Sequence, residues 1–127
     1  INWSDMNNTT SFSIATAAAL VSVYALWALG LALEADYYAP ALDQQIPAVA
    51  FGALTIFSGI GAFLVAGRLK KTANPVRNVW IAVLVVFAFF LLPVPGIADP
   101  IAAAILLAIH FAVAIPLALA MRKMVSQ

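Results

Sequence analysis

The chain has 127 residues, of which 65% are hydrophobic and 9% are charged. Soluble domains contain roughly 45–50% apolar and about 25% charged residues, so this composition excludes a soluble globular domain. The net charge of +1 is too small to indicate a basic surface that binds nucleic acid. The chain has no cysteine, which excludes disulfides, thiolate metal sites and a cysteine nucleophile. The length fits a single domain over residues 1–127.

Charged residues divide the chain into long apolar runs, each close to the roughly 20 residues that cross a bilayer. Irregular backbone cannot cross lipid with its polar groups unpaired, so each run is predicted to be a helix. Three runs open with proline, which suits the first helical turn. The predicted spans are about 12–36, 47–68, 75–92 and 100–121. Short connections predict an all-α membrane protein, an antiparallel four-helix transmembrane bundle.

The polar residues around the first span predict where it begins and ends. An N-cap is expected among Thr9, Thr10, Ser11 and Ser13. The helix is expected to continue past Glu34 until Pro40 ends it, which would place Tyr37 and Tyr38 in the interfacial aromatic belt. The run has no basic segment before it and is interpreted as a retained span, not a signal peptide. Asn74 and Asp99 are predicted to cap the last two spans.

The charge distribution predicts the orientation. Every basic residue falls in the second connection or at the C-terminal end, which four spans place on one side: Arg68, Lys70, Lys71, Arg77, Arg122 and Lys123. The positive-inside rule makes that side cytoplasmic, which predicts a multi-pass protein of a prokaryotic cell membrane with both termini in the cytoplasm. The opposite face carries only carboxylates: Glu34, Asp36, Asp43 and Asp99. These carboxylates either bind a divalent cation or simply reflect the same orientation signal.

The single histidine, His110, lies near the middle of the last span. An ionisable side chain at that depth is costly and is a candidate functional residue. Hydroxyls of Ser22, Thr55 and Ser58 lie at comparable depth. One interpretation is a polar cluster that holds a proton, a polar ligand or a metal-centred pigment. The other is a neutral imidazole bonded to a hydroxyl of another helix, which fixes helix packing.

Two further sets of residues suggest contact surfaces. Small residues recur along the last span at Ala104, Ala108, Ala112 and Ala120, and such a ridge lets another helix approach closely. That helix belongs either to the same chain or to a partner subunit. The basic turn residues Arg68, Lys70, Lys71 and Arg77 either hold anionic lipid headgroups or serve only as the orientation signal. Glycines and alanines of the second span, among them Gly52 and Gly59, also favour close helix contact.

From Pro47 onward the chain has a small-residue span, the turn GRLKKTANPVRNVW, a span ending FFLLPVPG, and a last span LLAIHFAVAIPLAL. This order resembles a group of small prokaryotic four-span membrane proteins of unknown function. The resemblance covers about the last two thirds of the chain. It implies a four-helix membrane fold, maps the group's last-span histidine onto His110, and implies no activity.

Three functions are compatible with the sequence. It contains no Ser/His/Asp set, no His-Glu-x-x-His motif, no phosphate loop and no pair of carboxylates within a span, so an enzyme is not expected. The leading hypothesis is a non-enzymatic accessory or structural subunit that packs with itself or with a larger membrane complex. The alternatives are binding or passage of a small solute at the cluster around His110, and binding of haem or pigment through His110, with Tyr24 and Trp27 lining an apolar pocket. The sequence requires no cofactor and contains no metal-ligand motif.

Overall fold

The computed structural model describes residues 2–127 and contains four long helices and one small hairpin. The elements in chain order are α1 (Asn8–Ala32), β1 (Tyr38–Ala39), β2 (Gln44–Gln45), α2 (Ala48–Leu69), α3 (Pro75–Leu91) and α4 (Pro100–Val125). Short 3-10 turns occupy Trp3–Asp5 and Val94–Gly96. Each long helical segment is long and apolar enough to cross a membrane. The predicted all-α four-helix bundle is confirmed.

The helices pack with their directions alternating. α1 has its largest contact with α4, and α2 packs on both of them. At one end of the bundle, the Lys123 ammonium donates to the Met6 carbonyl at 2.6 Å. At the other end, the Asp36 N–H donates to the Asp99 carboxylate at 2.7 Å. The start of α1 therefore lies beside the end of α4, and the end of α1 beside the start of α4, as an antiparallel pair requires.

The buried side chains form two clusters along the bundle. The first cluster lies nearer the chain termini and takes residues from all four helices: Phe12, Ala15, Ala66, Val79, Leu117, Ala120, Met121 and Val125. The second cluster lies nearer the hairpin and contains Val23, Tyr37, Phe51, Ala102, Ile105, Leu106 and Ile109. Val79 is the only buried residue of α3 among those described. α3 therefore contributes no residue to the second cluster among the described residues, although its Phe87 ring packs against Phe111 of α4.

α1 begins earlier than the sequence predicted. Its cap is Asn7, whose side-chain oxygen accepts the Thr10 N–H at 2.7 Å, so the expected cap among Thr9, Thr10, Ser11 and Ser13 is wrong. Asparagine is among the best N-cap residues because its oxygen satisfies an N–H that has no intrahelical partner. The helix thereby gains a full turn before the apolar run begins.

α1 also ends earlier than predicted, at Ala32 and not at Pro40. Glu34 takes a left-handed conformation with φ of 61°. The Ala35 N–H donates to Gly30 at 2.8 Å, and the Glu34 N–H donates to Leu31 at 3.0 Å. These two bonds make a Schellman motif, which usually has glycine at the left-handed position. Because glutamate stands there, the sequence contained no recognisable stop signal.

The segment after α1 folds into a hairpin, so the helical continuation through Tyr37 and Tyr38 is wrong. Tyr38 pairs with Gln45, and Ala39 pairs with Gln44, in antiparallel register. The Tyr37 ring is 3% exposed, and its hydroxyl donates to the Trp27 carbonyl at 3.2 Å. Tyr37 therefore lies inside the bundle and not in a lipid-facing belt. The Tyr37 hydroxyl packs against Gly30, and a Cβ atom at Gly30 would collide with it.

The other helix ends agree closely with the sequence. α2 and α3 lie within one residue of their predicted bounds. Asp99 caps α4, since its carboxylate accepts the Ala102 N–H at 3.2 Å. Asn74 precedes α3 as predicted but makes no side-chain cap and has φ of 57°. α4 continues to Val125 because Val125 is buried in the first cluster, and Arg122 and Lys123 in its last turn favour a helix C-terminus.

Candidate functional site

His110 is half-buried in the middle of α4, as the sequence placed it. Its Nδ1 lies 2.6 Å from the Leu106 carbonyl one turn earlier. A carbonyl can only accept, so Nδ1 carries the hydrogen in this bond. The Phe87 ring of α3 lies edge-on at 6.4 Å from the imidazole. The sequence predicted that His110 bonds to a hydroxyl of another helix. This prediction is wrong, because the observed partner is a backbone carbonyl of α4 itself.

The three predicted hydroxyls are paired in the same way as His110. Ser22 donates to Ala18 at 2.9 Å. Thr55 donates to Phe51 at 2.7 Å, and Ser58 donates to Leu54 at 2.7 Å. Each acceptor is the carbonyl one turn earlier in the same helix. No hydrogen bond joins any two of the four candidates in the described part of the chain, so only a ligand or water could connect them.

Small residues of α2 allow close contact with α1, as the sequence indicated. A side chain at Gly59 would collide with Thr16, and one at Gly52 would collide with Tyr24. The Tyr24 hydroxyl donates to the Ala48 carbonyl at 2.9 Å, which ties α1 to the first turn of α2. Space around Gly61 is open. Close approach is therefore limited to one face of α2.

The alanine ridge of α4 changes surroundings along its length. Ala120 is 1% exposed and belongs to the first core cluster. Ala108 and Ala112 are half-buried, and Ala104 is exposed. The ridge therefore packs within the chain at its C-terminal end and leaves Ala104 free at the other end. A partner helix for that exposed part stays a prediction.

The basic residues gather at one end of the bundle. Arg68, Lys70, Lys71 and Arg77 are all exposed on the turn between α2 and α3 and at the start of α3. Arg122 and Lys123 lie at the end of α4, which reaches the same end. Asp5 is the only acidic residue of that end. None of the six basic side chains has a carboxylate partner among residues 2–127. This end is therefore free to attract anions.

The opposite end carries the four remaining carboxylates, and hydrogen bonds tie most of them to the hairpin. Asp43 accepts the Tyr38 hydroxyl, and Asp36 accepts the Gln45 side-chain amide. The N–H groups of Asp36, Ala102 and Ile101 lower the pKa of the Asp99 carboxyl. Burial and the charge of Asp99 raise the pKa of the Tyr37 phenol. In the described residues, no group of three or more His, Asp or Glu side chains is arranged to hold a metal ion.

A comparison of the chain with known protein families identifies its family. The family of unknown function DUF6069 matches residues 6–127. The chain belongs to this family. The match covers far more than the last two thirds, on which the resemblance was based. No curated protein and no solved structure matches the chain.

Two contacts that hold the ends of this DUF6069 bundle together were not predicted from the sequence. One joins Asp99 to the backbone of Asp36, and the other joins Lys123 to the backbone of Met6. The Lys123 ammonium also lies 5.8 Å from the centre of the Trp3 ring. Both contacts join residues distant in the chain. Their only sequence signal is a charged residue beside a helix terminus.

Proposed function

We propose that this member of DUF6069 is a non-enzymatic multi-pass membrane protein that acts as an accessory or structural subunit. It packs with itself or with a larger membrane complex. The observation that carries the proposal is the pairing of Ser22, Thr55, Ser58 and His110 with carbonyls of their own helices. Four satisfied side chains in four separate bonds favour a scaffold over a preassembled catalytic site.

We assign the contact with a second copy or a partner subunit to the exposed face of α3. Its second half exposes Leu84, Val85, Val86, Phe89 and Phe90, and it contributes little to either core cluster. Association of helices in lipid depends on van der Waals packing and not on removal of apolar surface from water. α3 has the smallest buried share of the four long helices, so it has the most side-chain surface left for such packing.

The proposed orientation places the basic end in the cytoplasm of a prokaryotic cell, as the positive-inside rule requires. There the exposed residues Arg68, Lys70, Lys71 and Arg77 contact anionic lipid headgroups. Their side chains have no competing carboxylate among residues 2–127, which supports this role. The opposite face, with its hairpin, lies outside the cell.

Cysteine cross-linking tests the subunit proposal, because the chain has no cysteine of its own. Leu84→Cys on α3 and Ile60→Cys on α2 are a matched pair: both positions are exposed, and both lie equally far from the basic end of their helix. We expect Leu84→Cys to cross-link to a second copy or to a co-purifying subunit in native membranes, and Ile60→Cys to remain uncoupled. A lone monomer at every concentration, with no co-purifying chain, would overturn the proposal.

A second candidate function, binding of haem or pigment, is favoured by the hydrogen bond of His110. Metal-ligating histidines almost always donate their other ring N–H to a carbonyl or carboxylate. His110 donates Nδ1–H to Leu106, so Nε2 would be the atom that holds the metal of such a group. The Phe87 ring lies near the imidazole and the Phe111 ring lies near Phe87. A visible absorption band that is present in native protein and absent in His110→Ala would support this function, and a colourless native preparation would remove it.

A further inference from the structure

An apolar groove runs along the seam between α1 and α4, on the surface of the bundle. It has a volume of about 330 Å³ and is lined by Trp3, Ile14, Ala15, Ala18, Pro116 and Leu119. Its lining is entirely apolar, and its floor consists of small residues of α1 opposite the ring of Pro116. Ile14 and Leu119 are exposed at its edges. The groove is therefore a depression that faces the membrane interior.

Basic side chains stand at the end of this groove. Lys123 follows Pro116 by two helical turns and Leu119 by one turn, so all three lie on the same side of α4. Two turns of helix rise by about 10 Å, which separates the Lys123 backbone from the apolar floor. Arg122 is exposed beside Lys123, and its guanidinium has no hydrogen-bond or carboxylate partner among residues 2–127. The groove is thus apolar in the membrane and cationic at its mouth.

Trp3 marks the boundary between these two parts. Its ring lines the groove and packs on the first core cluster. The Lys123 ammonium lies 5.8 Å from the ring centre and donates to the neutral Met6 carbonyl at 2.6 Å, so no carboxylate among residues 2–127 balances its charge. Tryptophan typically lies at the level of lipid headgroups, with its apolar part toward the acyl chains.

We propose that the groove binds an anionic phospholipid, with one acyl chain along Ala15, Ala18 and Pro116 and the headgroup beside Arg122 and Lys123. The positive charges of Arg122 and Lys123 are complementary to an anionic headgroup and favour this ligand. Helices α2, α3 and α4 of a second copy in the same orientation would bring their own basic residues against Arg122 and Lys123. An anionic lipid neutralises both charges and fills the apolar groove. This site lies at the α1–α4 seam and is separate from the basic turn between α2 and α3.

Fluorescence of Trp3 measures the occupant directly. The test uses the full chain with Trp27→Phe and Trp80→Phe, so that Trp3 alone emits, in nanodiscs of mixed phosphatidylglycerol and phosphatidylcholine. In one sample the phosphatidylglycerol carries brominated acyl chains, and in the other the phosphatidylcholine does. We expect brominated phosphatidylglycerol to quench Trp3 more strongly. Because each basic residue near a surface attracts anionic lipid, Arg122→Gln should reduce this preference about fivefold.

Ala18→Leu fills the groove and is expected to weaken quenching by both brominated lipids. Ala17→Leu is its matched control, since Ala17 is also an exposed alanine of α1 but does not line the groove; it should leave quenching unchanged. Helical circular dichroism and a single elution peak establish that each variant is folded. Equal quenching by the two lipids would overturn the proposal. So would protection of Trp3 from both lipids together with a doubled mass, which would indicate a second copy in the groove.

Discussion

Asp99 and Asp36 are linked at the hairpin end of the bundle, where one carboxylate oxygen of Asp99 accepts the backbone N–H of Asp36 at 2.7 Å. The same oxygen accepts the Ala102 N–H at 3.2 Å and so caps α4. One side chain therefore starts the last helix and holds the segment that follows the first. This double role makes the hairpin depend on the ionisation of Asp99.

The first prediction concerns acid. The hydrogen bond from Asp36 is the chief cause of the lowered pKa of Asp99. A carboxyl whose pKa is lower in the folded protein stabilises it above its unfolded pKa, about 3.9, and this stabilisation disappears as the pH falls through the folded pKa. We expect Asp99→Ala to lower the thermal unfolding midpoint at pH 6 and to have a smaller effect at pH 3. Glu34→Gln is the control, and an equal effect of Asp99→Ala at both pH values would contradict the prediction.

The second prediction concerns the crossing of α1 and α2. A methyl group at Gly59 would collide with Thr16, whereas one at Gly61 would meet open space. Overpacking costs about 1–3 kcal/mol, and replacing glycine within a helix otherwise stabilises by roughly 0.5–1 kcal/mol. Gly59→Ala should therefore lower the free energy of unfolding, and Gly61→Ala should raise it slightly. Thr16→Ala should restore much of the loss in Gly59→Ala; failure of this rescue would show that Thr16 is not the obstacle.

Helix positions were predictable where the chain marks them locally. Pro75 and Pro100 open α3 and α4 as expected, and Asp99 caps α4. The end of α1 was missed because its left-handed residue is Glu34, and nothing in the sequence distinguishes that glutamate from one that continues a helix. The conformation depends on bonds of Glu34 and Ala35 to the preceding turn.

The polar candidates show a different limit of sequence reasoning. The sequence placed His110 near the middle of the last helix, as observed, but it assigned the hydrogen bond to another helix. A histidine inside a helix can reach the carbonyl one turn earlier, and the choice depends on its rotamer and on neighbours such as Phe87. Composition and spacing carry no information on that choice. The same is true of Lys123, whose partner Met6 lies at the opposite end of the chain.

The third prediction tests the orientation in the membrane. Lys71 and Asp43 are exposed on opposite ends of the bundle, and the natural chain has no cysteine to interfere. With the basic end in the cytoplasm, an impermeant thiol reagent added to intact cells should label Asp43→Cys and leave Lys71→Cys unlabelled. Permeabilised cells, in which both positions react, are the control. The reverse pattern in intact cells would show that the orientation is wrong.

The last prediction separates a structural from a functional His110. In the structural case, His110→Leu removes one bond, from Nδ1 to Leu106, and that carbonyl still accepts its ordinary helical N–H. Interhelical side-chain hydrogen bonds in membranes average about 0.6 kcal/mol. Loss of a bond within one helix should therefore change the free energy of unfolding by no more than about that amount. Thr55→Val is the matched control, because Thr55 makes the same bond to Phe51.

If His110 instead binds haem, pigment, a solute or a proton, His110→Leu should abolish that property while the bundle stays folded. The measurement combines the unfolding midpoint with the visible spectrum and with solute flux into liposomes, and wild type, His110→Leu and Thr55→Val are compared side by side. Equal spectra and equal flux in all three proteins would show that His110 has only a structural role. Loss of a band or of flux in His110→Leu only would assign the function to the imidazole, since Thr55→Val removes a similar bond without removing a ligand.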